Sequence, residues 1–381
     1  MRQNRLWTAI CFASFFVAGI CTTLLGSTFQ NLTARYEMPL SNAGIFTTLM
    51  GIGATIAVII AGRLLDRLDV RYVLCGGPLI FGSGVLVLGF APNLPLALFG
   101  TLLFGLGFGT LLAGPNFVIA TIYADNAGSA LNALNFFYGL GAITGPQLVA
   151  FSLRQGNFVL AYAVGGIAML LMVLPFAQVH IRREHLSDTR NQTTIEWQSL
   201  LPFVVLLFFY IGTEVGFGSW IFSQVVIVAK ANTEIAALAT SAFWAGLTGG
   251  RAAASFILQR IQEKQLLQLT ILLIAAGTAL LLVFGTNATL SIICAFIVGF
   301  GCAPVFPTTL AIARKIYPTT YGAVSGVLIG LGNLGTLLIP WLQGQVGGGT
   351  SGGMQVILVL SFVMFAIAVL IQRQERLKVL V

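Results

Sequence analysis

The apolar residues of this chain fall into twelve long runs, and this feature limits the possible fold more than any other. A run of about 20 apolar residues forms a helix about 30 Å long, which is enough to cross the hydrocarbon core of a membrane. Only 8% of the 381 residues are charged, whereas about a quarter are charged in a soluble domain. The sequence therefore predicts an all-α integral membrane protein and excludes a soluble catalytic or nucleic-acid-binding domain.

Breaks at charged residues, Pro and Asn clusters divide the chain into twelve predicted transmembrane helices. The predicted spans are 6–31, 40–62, 72–91, 95–122, 128–153, 157–179, 199–225, 233–257, 265–285, 288–313, 321–345 and 354–372. With the N-terminus in the cytoplasm, 16 of the 19 Lys and Arg residues lie inside, and Arg35, Arg154 and Lys230 lie outside. This asymmetry favours cytoplasmic termini. We expect a monomer in the cell membrane, and the short tails and loops favour a bacterial inner membrane.

One long polar stretch, at 180–197, separates two halves of six helices each. We therefore predict an N-terminal bundle over 1–179, a cytoplasmic linker over 180–198 and a C-terminal bundle over 199–381. GLGFGTLLAGPNFVIATIY ends at Tyr123 and GFGCAPVFPTTLAIARKIY ends at Tyr317, each with a Gly-x-Gly pair 16 residues before the Tyr. Matching features in both halves predict two pseudo-symmetric bundles.

One acidic residue is predicted to lie deep in the membrane. Ten of the eleven acids fall in loops, tails or helix ends, but Glu214 lies about 15 residues into the seventh span. A carboxylate there costs at least about 2.5 kcal/mol, so such acids usually face a partner or a water-filled path. Glu214 is predicted to carry a proton, or to bind sodium or a sugar hydroxyl, and the sequence does not choose between these roles. The alternative is a neutral structural Glu that bonds a neighbouring helix.

Other polar and aromatic side chains inside the spans are candidates for contacting a substrate. Amides donate and accept hydrogen bonds at once, which suits the recognition of hydroxyl groups. Trp244 lies between Thr240 and Thr248 on a semi-polar helix face that can stack against a sugar ring. The alternative is that these residues only pack helices together. The candidate substrate-binding residues are Asn116, Asn135, Tyr138, Tyr210, Glu214, Trp244 and Asn333.

The loop after the second span reads GRLLDRLDVRYVL at 62–74. It resembles the cytoplasmic signature of the major facilitator superfamily, Gly-x-Leu-x-Asp-Arg followed by a basic residue. Gly62 is expected to let two helices approach closely, and Asp66, Arg67 and Arg71 can form a charged latch between helix ends. The second half keeps Arg251 in the matching loop but lacks the Asp, and we expect Arg251 to act in a gate rather than as a ligand.

Four further segments resemble the branch that contains fucose:proton symporters and sodium-dependent glucose transporter-like proteins. They are LNALNFFYGLGAITGP, FFYIGTEVGFGSWI, SAFWAGLTGGR and GFGCAPVFPTTLAIARK. The resemblance implies cation-coupled sugar uptake by alternating access. Fucose symporters of this branch carry acids in the first and fourth spans, where this chain has Thr22, Thr23 and Asn116 among its polar residues. A coupling acid must therefore come from elsewhere, and Glu214 is the candidate.

The sequence thus predicts a secondary active transporter, not an enzyme, that moves a small neutral solute, above all a monosaccharide, with a proton or sodium gradient. Its expected partners are that solute and the lipid bilayer, without nucleic acid. We expect no cofactor and no metal site, because the five cysteines lack metal-ligand spacing. A proton-coupled antiporter for amphipathic drugs is the first alternative, and a sensor built on a transporter fold is the second.

Overall fold

The computed structural model of the chain describes residues 2–179, 197–257, 260–317, 320–347 and 350–379. These residues form sixteen α-helices joined by short connections. The helices are α1 Arg2–Ser27, α2 Phe29–Arg35, α3 Gly44–Arg67, α4 Val70–Phe90, α5 Leu94–Ile122, α6 Ala127–Arg154, α7 Val159–Leu171, α8 Val173–Phe176, α9 Trp197–Ile227, α10 Thr233–Ile257, α11 Glu263–Phe284, α12 Ala288–Cys302, α13 Val305–Ile316, α14 Tyr321–Gly332, α15 Gly335–Gly347 and α16 Ser351–Val379.

The helices match the predicted membrane spans. Eleven helical segments of the described residues are long and apolar enough to cross a membrane. The remaining predicted span corresponds to α10, whose 25 residues extend about 37 Å. The all-α membrane fold is therefore confirmed. The predicted linker at 180–198 lies outside the described residues, except for its last two positions, which begin α9.

Four predicted spans are interrupted helices. The first is interrupted at Thr28, between α1 and α2, the sixth at Met172, between α7 and α8, and the eleventh between α14 and α15. In the tenth, Pro304 stands between α12 and α13. Proline cannot donate the backbone hydrogen bond that a continuous helix needs, which accounts for this break. Irregular backbone of this kind is tolerated at membrane depth where it is covered by protein or lines a cavity.

The chain divides into two compact units. Unit 1 comprises Met1–Arg182 and Asn232–Ser241, and unit 2 comprises Arg183–Ala231 and Ala242–Val381. Unit 1 therefore contains α1 to α8, and unit 2 contains α9 and α11 to α16. The helix α10 begins in unit 1 and continues in unit 2.

The beginning of α10 is bound to α6 within unit 1. The Ser241 hydroxyl donates a hydrogen bond of 2.6 Å to the carbonyl oxygen of Ile143, and the Gln147 amide donates one of 3.1 Å to Ser241. Arg154 at the end of α6 forms an ion pair of 3.0 Å with Glu234. These contacts explain why the first turns of α10 belong to unit 1.

The two units contain matching internal contacts, made by residues that lie about 194 positions apart in the sequence. The Asn93 side chain caps α5 by accepting a hydrogen bond of 3.0 Å from the backbone of Leu96. The Asn287 side chain caps α12 by accepting one of 3.1 Å from the backbone of Leu290. An Asn at this position satisfies a backbone N–H that the first helical turn leaves unpaired. Equivalent caps therefore begin the fourth and tenth spans.

The predicted duplication around the two tyrosines is also present. Tyr123 follows α5, and its hydroxyl lies 3.2 Å from the hydroxyl of Thr8 in α1. Tyr317 follows α13, and its hydroxyl donates a hydrogen bond of 2.8 Å to Ser199 in α9. In each unit, the tyrosine that follows the fourth or tenth span thus contacts a hydroxyl group on the first helix of that unit.

Close helix packing shows which residues of α1 in unit 1 correspond to which residues of α9 in unit 2. In unit 1, a side chain on Gly141 of α6 would collide with the carbonyl oxygen of Phe16 in α1. In unit 2, a side chain on Gly335 of α15 would collide with the carbonyl oxygen of Phe208 in α9. Small residues allow this close approach of helix backbones. Since Phe16 corresponds to Phe208, Thr22 of α1 corresponds to position 214 of α9.

Candidate functional site

Glu214 and Tyr210 pair on one face of α9 in unit 2. They lie four positions apart, which brings their side chains together on a helix. The fully buried Tyr210 donates its hydroxyl to Oε2 of Glu214. The Glu214 side chain keeps 17% of its surface exposed. The predicted shared face is confirmed, and Tyr210 supplies one of the partners that an intramembrane acid requires.

Arg251 of α10 approaches the other oxygen of the same carboxylate. Its Nη2 atom lies 3.9 Å from Oε1 of Glu214, and its side chain is 38% exposed. The attraction between the two charges is stronger here than in bulk water because the surroundings are less polar. We expected Arg251 to act in a gate rather than as a ligand, and this stays a prediction. The structure brings Arg251 to Glu214, a pairing that the sequence pattern did not reveal.

Trp244 of α10 packs beside the turn of α9 that follows Glu214. A side-chain carbon on Gly218 would lie 3.3 Å from Cζ2 of Trp244, so the glycine leaves room for the indole. The ring of Phe243 meets the indole edge-on, with 5.4 Å between the ring centroids. Trp244 is half-buried. Its position one turn from Glu214 keeps it a candidate for stacking against a sugar ring.

Thr248 lies between Trp244 and Arg251 on the same face of α10. It is only 7% exposed, and its hydroxyl has no hydrogen-bond partner among the described residues. Trp244 of α10 approaches Gly218 of α9, and Arg251 of α10 approaches Glu214 of α9. Thr248 lies between Trp244 and Arg251 on α10, so it lies near the level of Glu214 along α9. Sequence analysis noted Thr248 only as a polar neighbour of Trp244.

The corresponding place in unit 1 holds two hydroxyl groups. The hydroxyls of Thr22 in α1 and Tyr138 in α6 lie 2.8 Å apart. The Tyr138 ring lies near Phe108 and Phe15, with ring centroids 6.2 and 6.5 Å away. Thr22 and Tyr138 are both half-buried. Tyr138 was a predicted substrate residue, whereas Thr22 was noted only because it is not acidic.

The predicted amide residues of unit 1 bond to their own helices. Asn116 donates 2.6 Å to the carbonyl oxygen of Leu112, and Asn135 donates 2.9 Å to that of Leu131. Both side chains are half-buried. These bonds fix the orientation of each amide and involve only its NH₂ group. A role in binding hydroxyl groups stays a prediction for both residues.

Asn333 lies where α14 ends. Its backbone N–H bonds to the carbonyl oxygen of Ile329 at 3.0 Å, and its carbonyl oxygen accepts the Thr336 hydroxyl at 2.8 Å. The helix then restarts at Gly335. The sequence placed Asn333 within a Gly-rich helix, and in the structure it lies at the two-residue interruption between α14 and α15 of that span. Its contact with a substrate stays a prediction.

The signature loop between α3 and α4 is organised by Asp69. The Asp69 side chain caps α4 by accepting a hydrogen bond of 2.9 Å from the backbone of Arg71, and it lies 3.4 Å from the Arg71 guanidinium. Arg67 is exposed at the end of α3, and the side chain of Asp66 lies outside the described part of the chain. The close helix approach expected at Gly62 is wrong, because a side chain there would have no described atom within 4 Å.

The site of unit 2 combines a carboxylate, a guanidinium, a phenol, a hydroxyl and an indole. The carboxylate can bind a cation or accept hydrogen bonds from a neutral polar solute, and the indole can stack against an apolar face of that solute. The equivalent place in unit 1 holds the hydroxyl groups of Thr22 and Tyr138. Of these two equivalent places, the one in unit 2 contains the charged side chains, Glu214 and Arg251.

Known proteins resemble the chain over most of its length. Human Sodium-dependent glucose transporter 1 is 23% identical over 376 residues, which cover 88% of this chain and 72% of the relative. Glucose/mannose transporter GlcP of Bacillus subtilis is 26% identical over 263 residues, which cover 64% of this chain and 63% of the relative. The crystal structure of a D-xylose-proton symporter has the same fold, with a TM-score of 0.77 at 15% identity over 94% of this chain and 96% of that one.

The family assignment follows from the sequence match together with the fold. Residues 11–229, more than half of the chain, match the Major Facilitator Superfamily. The relatives and the structural neighbour are membrane transporters, not enzymes. The chain therefore belongs to the Major Facilitator Superfamily and is a multi-pass membrane transporter.

Proposed function

We propose that this transporter moves a monosaccharide by alternating access and couples its movement to a proton or sodium gradient at Glu214. One observation carries the proposal: a carboxylate inside a membrane-length helix is bonded by Tyr210 and paired with Arg251. Such an acid usually marks an ion or substrate path. The names of the human and Bacillus subtilis relatives, which both refer to glucose, support a sugar as the solute.

Each half has a separate part in this proposal. Glu214 and Trp244 contact the solute and the cation from the C-terminal half, and the buried Tyr210 holds the Glu214 carboxylate in place. In the N-terminal half, sugar hydroxyls are bound by the hydroxyl of Tyr138 and by the amides of Asn116 and Asn135. In the C-terminal half, Asn333 adds a contact at the interruption between α14 and α15. Their chemistry supports this division, because amides and hydroxyls both donate and accept hydrogen bonds.

The proposal also includes the arrangement in the membrane. The N-terminal bundle at 1–179 and the C-terminal bundle at 199–381 are joined by a cytoplasmic linker, and both termini face the cytoplasm of a bacterial cell. Asp66, Arg67 and Arg71 form the cytoplasmic gate. The transporter acts as a monomer. The distribution of Lys and Arg supports the orientation.

Uptake into proteoliposomes tests the proposed function. The purified protein is reconstituted and supplied with radiolabelled hexoses and pentoses, one at a time, under an imposed sodium or proton gradient. Accumulation of at least one sugar above its equilibrium level, abolished when the gradient is collapsed, is the expected result. If no sugar moves while lipophilic cations are expelled under a proton gradient, the chain is a drug antiporter and the proposal is wrong.

A further inference from the structure

The two oxygens of the Glu214 carboxylate have different partners. Oε2 accepts the hydroxyl of Tyr210, a side chain with no exposed surface. Oε1 faces the guanidinium of Arg251. Tyr210 is enclosed by the protein and holds its oxygen in one place. Oε1 is therefore the oxygen at which a ligand can exchange.

Arg251 is held loosely at that oxygen. Its closest nitrogen lies 3.9 Å from Oε1, whereas a charge-assisted hydrogen bond between such groups measures about 2.7–2.9 Å. More than a third of the Arg251 side chain is exposed, so the guanidinium can be hydrated when it leaves. A long, flexible side chain can withdraw without breaking a close hydrogen bond to Glu214.

Thr248 of α10 offers a second oxygen at the level of Glu214, because α10 approaches α9 through Trp244 at Gly218 and through Arg251 at Glu214. Thr248 is only 7% exposed, and its buried hydroxyl has no hydrogen-bond partner among the described residues. A buried hydroxyl without a partner carries an energetic penalty, and in native proteins it usually reflects a missing water or ion. Thr248 is three positions before Arg251 and therefore on the same face of α10.

We propose that Oε1 of Glu214 and Oγ1 of Thr248 form a sodium site, which the guanidinium of Arg251 covers as a built-in competitor when sodium is absent. The proposal rests on the cation coupling described under the proposed function and names its ion. Hard cations prefer oxygen ligands, and a carboxylate with a hydroxyl provides two. Water or a sugar hydroxyl completes the coordination shell.

The charges of the site support an exchange of one cation for another. With Arg251 in place, the carboxylate is neutralised from within the protein. When sodium binds, the ion neutralises the carboxylate and the guanidinium moves to water. The carboxylate is therefore neutralised in both states, by Arg251 when sodium is absent and by the ion when it is bound.

Thermal unfolding of the purified full-length protein tests the exchange without any sugar. The melting temperature is measured in detergent at pH 8 as NaCl replaces choline chloride at constant ionic strength. A ligand that binds the native state alone raises the melting temperature according to its concentration and affinity. The wild type is expected to be stabilised by sodium relative to choline, with a measurable midpoint concentration.

Four variants assign this midpoint to the proposed ligands. Arg251→Gln removes the competitor and lowers the midpoint by about tenfold, within the usual range for coupled sites. Thr248→Val keeps the side-chain shape but removes the oxygen, and it raises the midpoint by about tenfold. Glu214→Gln abolishes the sodium effect. Arg260→Gln, which removes an exposed charge elsewhere, leaves the midpoint unchanged.

If Arg251→Gln does not fold, the sodium midpoints of Arg251→Lys and Thr248→Val test the proposed site instead. The shorter lysine competes less well, so its midpoint falls below the wild-type value. The proposal is overturned if sodium and choline act alike on both wild type and Arg251→Gln, or if either Arg251 variant raises the midpoint. A response to pH without a response to sodium overturns it as well. Because no sugar is present, failed sugar uptake and failed sodium binding are separate results.

Discussion

Thr22 of α1 and Glu214 of α9 occupy equivalent positions in the two units. The equivalence follows from the packing of Gly141 against Phe16 in unit 1 and of Gly335 against Phe208 in unit 2. One unit thus has a hydroxyl where the other has an acid. Each of the two has a tyrosine hydroxyl as its partner, Tyr138 for Thr22 and Tyr210 for Glu214.

This equivalence predicts that Tyr138→Phe weakens sugar recognition and spares cation coupling. The variant loses one neutral hydrogen bond, worth about 1 kcal/mol, so KM for the sugar rises about fivefold. The dependence of uptake on the cation concentration is expected to stay at the wild-type value. Transport kinetics at varied sugar and cation concentrations separate the two effects. A change in cation dependence alone would contradict the assignment of Tyr138.

Tyr210→Phe is expected to act on the cation instead. It removes a buried hydrogen bond to a carboxylate, and such bonds contribute about 1.5–3 kcal/mol. The apparent affinity for the coupling cation should therefore change by roughly 10- to 100-fold. Cation titrations of uptake measure the change.

Tyr162→Phe is the matched control for Tyr210→Phe. Tyr162 is also fully buried, and its hydroxyl lies 2.6 Å from that of Thr28 in unit 1. Its loss should lower thermal stability without altering the dependence on the cation. Equal effects of both variants on cation affinity would mean that Tyr210 acts only through general stability.

Glycine substitutions test the repeated helix packing. Gly141→Ala and Gly335→Ala should each lower stability by about 1–3 kcal/mol, because the added methyl group meets a backbone carbonyl. Gly330→Ala, at a position with no described atom within 4 Å of the new carbon, should leave stability unchanged or raise it slightly. Melting temperatures in detergent measure all three. If Gly330→Ala destabilised the protein as much as Gly335→Ala, close packing would not be the cause.

The sequence predicted the helices well because apolar length is a strong local signal. The eighth predicted span, 233–257, coincides with α10, and the acid at position 214 was recognised because a charge inside an apolar run stands out. The pairing of Tyr210 with Glu214 followed from helix periodicity alone.

The missed features depend on contacts between helices. Arg251 lies 37 positions after Glu214, and their approach requires the packing of α10 against α9, which no local pattern reports. The break at Asn333 lacks a proline at the break itself and was missed for that reason. The open surroundings of Gly62 were missed because a glycine permits close packing without requiring it.

Uptake by Glu214→Gln tests the central claim, coupling of sugar movement to a cation at Glu214, most directly. Wild type and variant are compared in proteoliposomes for gradient-driven accumulation and for exchange of labelled against unlabelled sugar. We predict that the variant loses accumulation and retains exchange, because its amide keeps the side-chain shape but binds no coupling cation. Accumulation at the wild-type level in Glu214→Gln would contradict the account and assign coupling to another group.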